Sequence, residues 1–111
     1  MNGNGNGKLA ASSIYLRCSV QPGMFNDELY IIFQGLDPDS PDQTIDIQVL
    51  VDNKLVKDLG GMPEQGQPVD GLLLVELVRT SEATAIIALP QPAVPIGDTA
   101  IVRRTCLVEA T

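Results

Sequence analysis

Three aspartates in the stretch DPDSPD form the densest group of side chains that could bind a metal ion. Asp37, Asp39 and Asp42 could offer carboxylate oxygens to Ca²⁺, which prefers oxygen ligands. An EF-hand loop beginning at Asp37 would need Gly at its sixth position and Glu at its twelfth, whereas this chain has Asp42 and Gln48 there. The sequence therefore favours an ordinary exposed turn, with a weak surface calcium site as the alternative.

The N-terminal stretch GNGNGK has the glycine content of a phosphate-binding loop but not its spacing. A Walker motif needs a Gly five residues before the Gly of its Gly-Lys pair and a Ser or Thr after the Lys, and those positions hold Asn2 and Leu9. Lys8 stands where a dinucleotide-binding motif has its third glycine. We predict no nucleotide and no other cofactor here.

Histidine is absent from the chain, which removes the most common base and metal ligand from any site. Ser-His-Asp and Cys-His catalysis are excluded, and Cys18 and Cys106 alone cannot complete a tetrahedral zinc site. No spacing suggests two facing carboxylates of the kind that cleave glycosidic bonds. We predict a protein that is not an enzyme, with both thiols on apolar strand faces; whether the thiols are neighbours stays open.

The charge of the chain excludes two classes of partner. Fourteen acidic and seven scattered basic residues give a net charge of -7. A phosphate backbone is bound by clustered basic residues, so we predict no nucleic-acid partner, and for the same reason no anionic membrane surface. There is no apolar run of about 20 residues and no secretory signal pattern. The expected location is a virion or the cytoplasm.

Apolar and polar residues alternate with a period of two along most of the chain, which indicates strands. The alternation is clearest in SSIYLRCSV, ELYIIFQGL and TIDIQVLV, where Ile45, Ile47, Val49 and Val51 are predicted core residues. LLLVELVRT and ATAIIAL read as a hairpin around Ser-Glu, and TAIVRRTCLVEA as one closing strand. DPDSPDQ and PQPAVPIGD are predicted to be irregular because of their prolines, and Asp52-Asn53 is predicted to turn a hairpin into KLVKDL.

These elements predict an all-β fold. About seven short strands without helices favour an antiparallel β-sandwich of immunoglobulin-like architecture, with a jelly roll or small barrel as the alternative. Residues 12–111 are expected to form this single domain. Residues 1–11, which are polar and of low complexity, are expected to be a flexible N-terminal arm.

The stretch LLLVELV is apolar on both faces of its predicted strand. Leu72, Leu74 and Val78 lie on one side, and Leu73, Val75 and Leu77 on the other, so both sides need cover. Either the connection at residues 60–71 folds over the outer side, or Leu72, Leu74 and Val78 contact another protein.

The arm supplies the other candidate interaction residues, Asn2, Asn4, Asn6 and Lys8. Extended terminal arms on small sandwich domains are typical of assemblies, so the predicted function is a non-catalytic structural or binding module. The specific expectation is a subunit of a larger symmetric assembly, such as a virus capsid decoration (cement) or other virion structural protein. Its partners would be copies of itself, a shell or scaffold protein, or both. The alternative is a cytosolic adaptor or regulatory domain that binds one protein partner.

Overall fold

The computed structural model describes residues 13–109, and this part of the chain is built of strands. Apolar and polar residues alternate along these segments, and a segment with this pattern is stable as a strand because one face packs on the core while the other faces water. The strands are β1 (Ser13–Pro22), β2 (Glu28–Asp37), β3 (Ser40–Asp52), β4 (Val56–Lys57), β5 (Val69–Thr80), β6 (Thr84–Ala93), β7 (Gly97–Arg103) and β8 (Leu107–Glu109). The predicted all-β class is confirmed, with eight strands rather than about seven.

All eight strands belong to one antiparallel sheet, which curves into a half-barrel. The order is β3-β2-β1-β5-β6-β7, with β4 beside β5 and β8 beside β1. The sheet curves at β1 and β5, because each of these long strands pairs with two different strands along one of its edges. Residues 19–22 of β1 pair with β2 and residues 14–16 with β8, whereas β5 faces β4 near its start and β6 near its end.

The two ends of the curved sheet meet at one point, between β3 and the residue after β6. The N–H of Gln48 donates to the carbonyl of Val94, and the N–H of Val94 donates to the carbonyl of Gln48, both at 2.9 Å. The next pair in this antiparallel register is Leu50 with Pro92, and proline has no N–H to donate. Within residues 13–109 the ladder between β3 and this segment is therefore a single bridge, and a gap opens beside it.

The core is aliphatic and lies on the inner face of the curved sheet. Ile47, Val49 and Val51 of β3 are 0%, 3% and 2% exposed, and the half-buried Ile45 packs against them, which confirms the predicted core face. The remaining strands contribute further buried side chains, among them Leu16, Val20, Ile31, Phe33, Leu73, Val75, Ala85, Ile87, Ala100 and Val102.

Two strands approach each other so closely in this core that one position, Gly35, has no room for a side chain. A Cβ at Gly35 of β2 would lie 3.0 Å from the carbonyl oxygen of Ile101 on β7 and would also overlap the Ile47 side chain. The carbonyl belongs to the backbone and cannot swing aside. Gly35 therefore lets β2 and β7 pack face to face across the inside of the half-barrel.

The hairpin predicted at Asp52-Asn53 is wrong. Asp52 ends β3, and its carboxylate accepts a hydrogen bond from the N–H of Lys54 at 2.9 Å, which caps a 3-10 turn at Asn53–Leu55. The chain then leaves β3, and β4 pairs with β5 through Val56 and Leu73. An aspartate suits either a hairpin turn or a cap, so the residue type alone did not separate the two.

Proline also misled the predicted strand boundaries. DPDSPDQ is almost wholly strand, because only Pro38 and Asp39 separate β2 from β3. Likewise, β6 continues through Pro90 and Pro92 to Ala93. Both segments are places where the ladder is irregular or lacks a partner, which is where a strand tolerates proline.

The closing strand predicted over TAIVRRTCLVEA is two strands. A 3-10 turn at Arg104–Cys106 separates β7 from β8, and β8 crosses to pair with β1. Nη1 of Arg104 donates to the carbonyls of Ser81 and Glu82 at 3.3 and 3.4 Å. The partners of this arginine side chain are thus backbone carbonyls of the β5–β6 turn.

Candidate functional site

The predicted interaction face on β5 lies in the middle of the sheet. Leu73 and Val75 point into the core, while Leu72 and Leu74 lie half-buried on the outer face. Residues 69–76 pair with β1 on one side, and β4 and β6 flank β5 on the other. In the described part of the chain, only Leu74 and Val75, between the β4 and β6 pairings, lack a strand partner on the side away from β1, so this stretch offers a partner mainly its side chains.

Two side chains from neighbouring strands cover this outer face. Lys57 of β4 pairs with Leu72, and Tyr15 of β1 pairs with Leu74. The Nζ of Lys57 lies 4.1 Å from the centroid of the Tyr15 ring. Its aliphatic stem must cross β5 to reach that ring, so the cation–π pair shields both leucines.

Val78 is the exposed member of the predicted face. A register shift between Leu77 and Arg79 places Val78 at a β-bulge, where its side chain is 57% exposed. Leu77 packs against the core from the same stretch. A bulge adds one residue to one strand, and within an apolar run it leaves no trace in the alternation.

The arm residues Asn2, Asn4, Asn6 and Lys8 lie outside the described residues, as does the whole predicted arm. Their part in an interaction stays a prediction.

Two of the three aspartates of DPDSPD lie at a turn. The N–H of Asp39 donates to Oδ1 of Asp37 at 2.9 Å, which is an Asx turn, whereas Asp42 lies within β3. Across residues 13–109 there is no group of three or more Cys, Asp or Glu side chains placed to hold a metal ion.

Both cysteines are free thiols. The Cys18 side chain is buried, and its Sγ donates to the carbonyl of Gly71 at 3.4 Å. Burial, and then the nearby charge of Asp70, raises the pKa of Cys18 to about 12. Because the thiolate is the reactive form, Cys18 is inert near neutral pH. Cys106 is half-buried against the core.

Large apolar side chains are exposed on the loops beside the C-terminal end of β1. Met24 and Phe25 in the β1–β2 loop are 80% and 68% exposed, and Met62 in the β4–β5 connection is 80% exposed. The N–H of Gly66 donates to Oε1 of Gln21 at 3.2 Å, which ties this connection to β1. Sequence reasoning missed these three residues because turn residues surround them; the available signal was that a turn has no need of Met or Phe.

The gap beside the Gln48–Val94 bridge is a groove of about 600 Å³, here called the β3–β6 groove. It is lined by Asp27, Glu28, Tyr30, Gln48, Val49, Leu50, Val51, Asp52, Gln91, Pro92 and Val94. Tyr30 and Leu50 also line a smaller depression, of about 360 Å³, that reaches Met24. The groove and the exposed β1–β2 loop are therefore parts of one surface.

The chemistry of the β3–β6 groove is acidic and apolar. Asp27, Glu28 and Asp52 contribute carboxylates, and none of the lining residues is basic. Oε1 of Glu28 is buried and accepts no hydrogen bond within the described chain. Leu50 and Val94 are 38% and 66% exposed. This arrangement can hold a cationic group beside apolar side chains.

No helical segment within residues 13–109 has the length and apolar composition to span a bilayer. Compared with known proteins, the chain matches no family model, no curated protein and no solved structure.

Proposed function

We propose that this protein is a non-catalytic structural subunit of a larger symmetric assembly, such as a capsid decoration or another virion structural protein. The observation that carries the proposal is the exposure of Met24, Phe25 and Met62, at 80%, 68% and 80%, on two loops at one end of the sheet. Grouped apolar side chains of this size are typical of contact surfaces. Burying each against another chain stabilises the contact by roughly 1.5–3 kcal/mol.

The proposal includes the immunoglobulin-like sandwich expected from the sequence. Its support is the approach of β2 to β7 at Gly35, where an added Cβ would lie 3.0 Å from the Ile101 carbonyl. β2 and β7 are distant in the strand order and face each other there, as strands of the two layers of a sandwich do.

The arm adds a second mode of contact to the proposal. Gly and Asn adopt many backbone conformations, and ordering such a segment costs roughly 1–2 kcal/mol per residue. Contacts in an assembly could offset that cost. Deleting residues 2–11 should leave the free energy of unfolding nearly unchanged and weaken association with other copies or with a shell protein.

A cytosolic adaptor that binds a single partner is the second candidate. It is favoured by Val78, which is 57% exposed at its bulge, four residues along the same strand from the half-buried Leu74. An adaptor of this type would use the outer face of β5, at a distance along the sheet from the loops that carry Met24 and Met62.

Sedimentation velocity on the full chain separates the two candidates. An assembly subunit should self-associate, and Phe25→Ser combined with Met62→Ser should weaken that association. Val78→Ser is the matched control, because it removes a similar apolar side chain from the β5 face. Weakening by Val78→Ser alone would move the self-association contact from the loops to the outer face of β5. A chain that stays monomeric at every concentration would contradict the assembly proposal and favour the adaptor.

The non-catalytic part of the proposal has its own test. Hydrolase and transferase screens should return no activity that belongs to this chain. A turnover that survives purification and is lost when one carboxylate is changed to its amide would contradict it.

A further inference from the structure

An apolar depression lies where the β5–β6 turn meets the start of β3, and it is here called the β5–β6 depression. Its volume is about 280 Å³, and Arg79 is the one charged residue in its lining. Its apolar lining comes from Leu36 of β2, Pro41 of β3, Ala85 and Ile86 of β6, and Ile101 of β7. A cavity of about 150 Å³ already holds a benzene ring, so this depression has room for an aromatic side chain.

The wall formed by the β5–β6 turn is held in place by hydrogen bonds. The hydroxyls of Ser81 and Thr84 lie 2.7 Å apart, and the N–H of Ser81 donates to the carbonyl of Thr84 at 2.9 Å. Nη1 of Arg104 donates to the carbonyl of Ser81 at 3.3 Å. A partner that enters this depression therefore does not have to order the turn first.

The charge at the depression is positive. Arg79 is exposed, and Thr84, which also belongs to the lining, pairs in register with the exposed Arg103 of β7. Asp37 and Asp42 lie near the β2–β3 turn, but neither belongs to the lining. The depression is therefore suited to an apolar side chain that has a carboxylate beside it.

The β1–β2 loop presents such a combination of side chains. Phe25 is 68% exposed, and Asp27, two residues further on, is exposed as well. The loop is ordered, because the N–H of Glu28 donates to the carbonyl of Phe25 at 3.1 Å and the N–H of Asn53 donates to the carbonyl of Asp27 at 2.8 Å. Its sequence GMFND contains no basic residue. The loop therefore complements the β5–β6 depression in polarity and in charge.

The loop and the depression lie at opposite ends of one copy. The loop follows the end of β1 at Pro22, whereas Ser13, at the other end of β1, pairs with Glu76, four residues before β5 ends at the turn. Nine steps of about 3.3 Å along β1 separate its two ends by about 30 Å. Phe25 therefore cannot enter the depression of its own chain, and the partner that carries a matching loop is a second copy.

We propose that Phe25 of one copy enters the β5–β6 depression of a second copy, with Asp27 paired to Arg79. This inference rests on the proposed assembly function and names the contact through which copies associate. The contact joins two different surfaces, so each bound copy still offers a free loop or a free depression. Copies therefore add head to tail, which produces a ring if the rotation closes and an open filament if it does not.

Two variants of the full chain, each blocking one end, test this polarity. Phe25→Ser removes the inserted side chain, and Arg79→Glu reverses the charge that faces Asp27. Each variant alone should self-associate at least roughly tenfold more weakly than the unchanged chain in sedimentation velocity. An equimolar mixture should form a 1:1 dimer and nothing larger, because the Arg79→Glu chain supplies an intact loop and the Phe25→Ser chain an intact depression.

Arg17→Glu is the matched control for Arg79→Glu. It makes the same charge change at an exposed position in the middle of β1, so it raises the general repulsion between copies equally and should weaken association far less. Val78 precedes Arg79 but does not line the depression, and Val78→Ser should leave association unchanged. Thermal melting of each variant verifies that the fold is retained, which is expected because Phe25 and Arg79 are both exposed.

A tryptophan in place of Phe25 gives a second readout. The chain contains no tryptophan, so the fluorescence of Phe25→Trp reports on this position alone. Its emission should shift to shorter wavelength as the concentration rises, because the ring leaves water for an apolar site. Adding Arg79→Glu to the same chain should abolish the shift. A shift that survives Arg79→Glu would place Phe25 in a different contact and overturn the inference.

The outcomes also distinguish this inference from the proposed function. If the chain self-associates but Arg79→Glu has no greater effect than Arg17→Glu, the head-to-tail contact is wrong and the assembly proposal stands. A mixture of the two blocked variants that stays monomeric has the same meaning, since it indicates a contact between like surfaces. An unchanged chain that is monomeric at every concentration contradicts both.

Discussion

β3 and β5 are two long strands of the same sheet, with 13 and 12 residues, and they manage their two faces in different ways. The burial of β3 alternates strictly from Ile45 to Asp52, and within residues 13–109 β3 pairs with β2 alone apart from the bridge at Gln48. β5 is apolar on both faces and has neighbours along both edges. The strand whose burial alternates lies at the edge, and the strand that carries apolar side chains on both faces lies inside.

The difference shows that a second layer is only one way to cover an apolar face. The outer face of β5 is shielded by the Lys57 side chain as it reaches the Tyr15 ring. Long side chains from adjacent strands can therefore replace a packed layer where only two leucines need shelter. A run that is apolar on both faces indicates a central strand and does not by itself indicate an interface.

The largest effect is expected from a charge on the core face of β3. Ile47 is fully buried, so Ile47→Asp places an unpaired carboxylate among apolar side chains and should abolish folding. Circular dichroism and expression yield measure the outcome, and Asp46→Asn on the exposed face of the same strand is the control. Normal expression with an unchanged melting temperature for Ile47→Asp would contradict the placement of this strand.

The two faces of β5 can be compared by neighbouring truncations. Leu73→Ala removes a fully buried side chain and should lower the free energy of unfolding by about 2–5 kcal/mol. Leu74→Ala, on the half-buried outer face, should cost clearly less. Urea denaturation of both variants gives the difference, and equal losses would mean that the outer face is as well packed as the core.

Cys18, paired with Gly71 of β5, makes stability depend on pH at the alkaline end. Burial raises the pKa of this thiol from 9.0 to about 12, so between these values the folded chain keeps a proton that the unfolded chain has lost. Stability from this group is complete below pH 9 and falls as the pH rises, by up to roughly 1.4 kcal/mol per pH unit.

The measurement is urea denaturation across that pH range with Cys18→Val as the control. The variant should show a shallower decline, since other groups also titrate there and only the difference between the two proteins reports on the thiol. Parallel declines would indicate that the thiol is not sealed from water.

The smallest effect concerns the cover over β5. Lys57→Ala removes both the cation–π contact and the stem across Leu72, and should cost roughly 0.5–1 kcal/mol. Lys57→Met keeps the apolar stem without the charge and should recover part of the loss. If both variants were as stable as the unchanged chain, the outer face of β5 would have another source of cover.

Local pattern predicted much of the fold, because strand faces depend on neighbours in sequence. The core positions Ile47, Val49 and Val51 and the β5–β6 hairpin followed from alternation and turn signals. Pairing between distant segments did not, since nothing in KLVKDL indicates that β4 pairs with β5 rather than with β3. The bulge at Val78 was equally hidden, because inserting one residue into an apolar run changes no residue type.

The candidate site was less accessible to sequence reasoning than the core. The sequence shows apolar residues within turn-rich segments at Met24, Phe25 and Met62. Whether their side chains are exposed depends on where the loops lie in the fold. The β3–β6 groove joins residues from β2, β3 and β6, and its acidic lining is dispersed along the sequence between Asp27 and Asp52. Only the closure of the sheet at Gln48 and Val94 brings these residues together.

Pro92 gives this molecule an unusual dependence on a single hydrogen atom. A residue with an N–H at this position could donate a hydrogen bond to the carbonyl of Leu50. The ladder that begins at Gln48 would then continue. The half-barrel would then be closed by more hydrogen bonds between β3 and β6. It would be more rigid, and the β3–β6 groove would be narrower. A change in one codon thus decides whether the ladder between β3 and β6 ends after a single bridge or continues, and evolution could move between the two forms without altering the core.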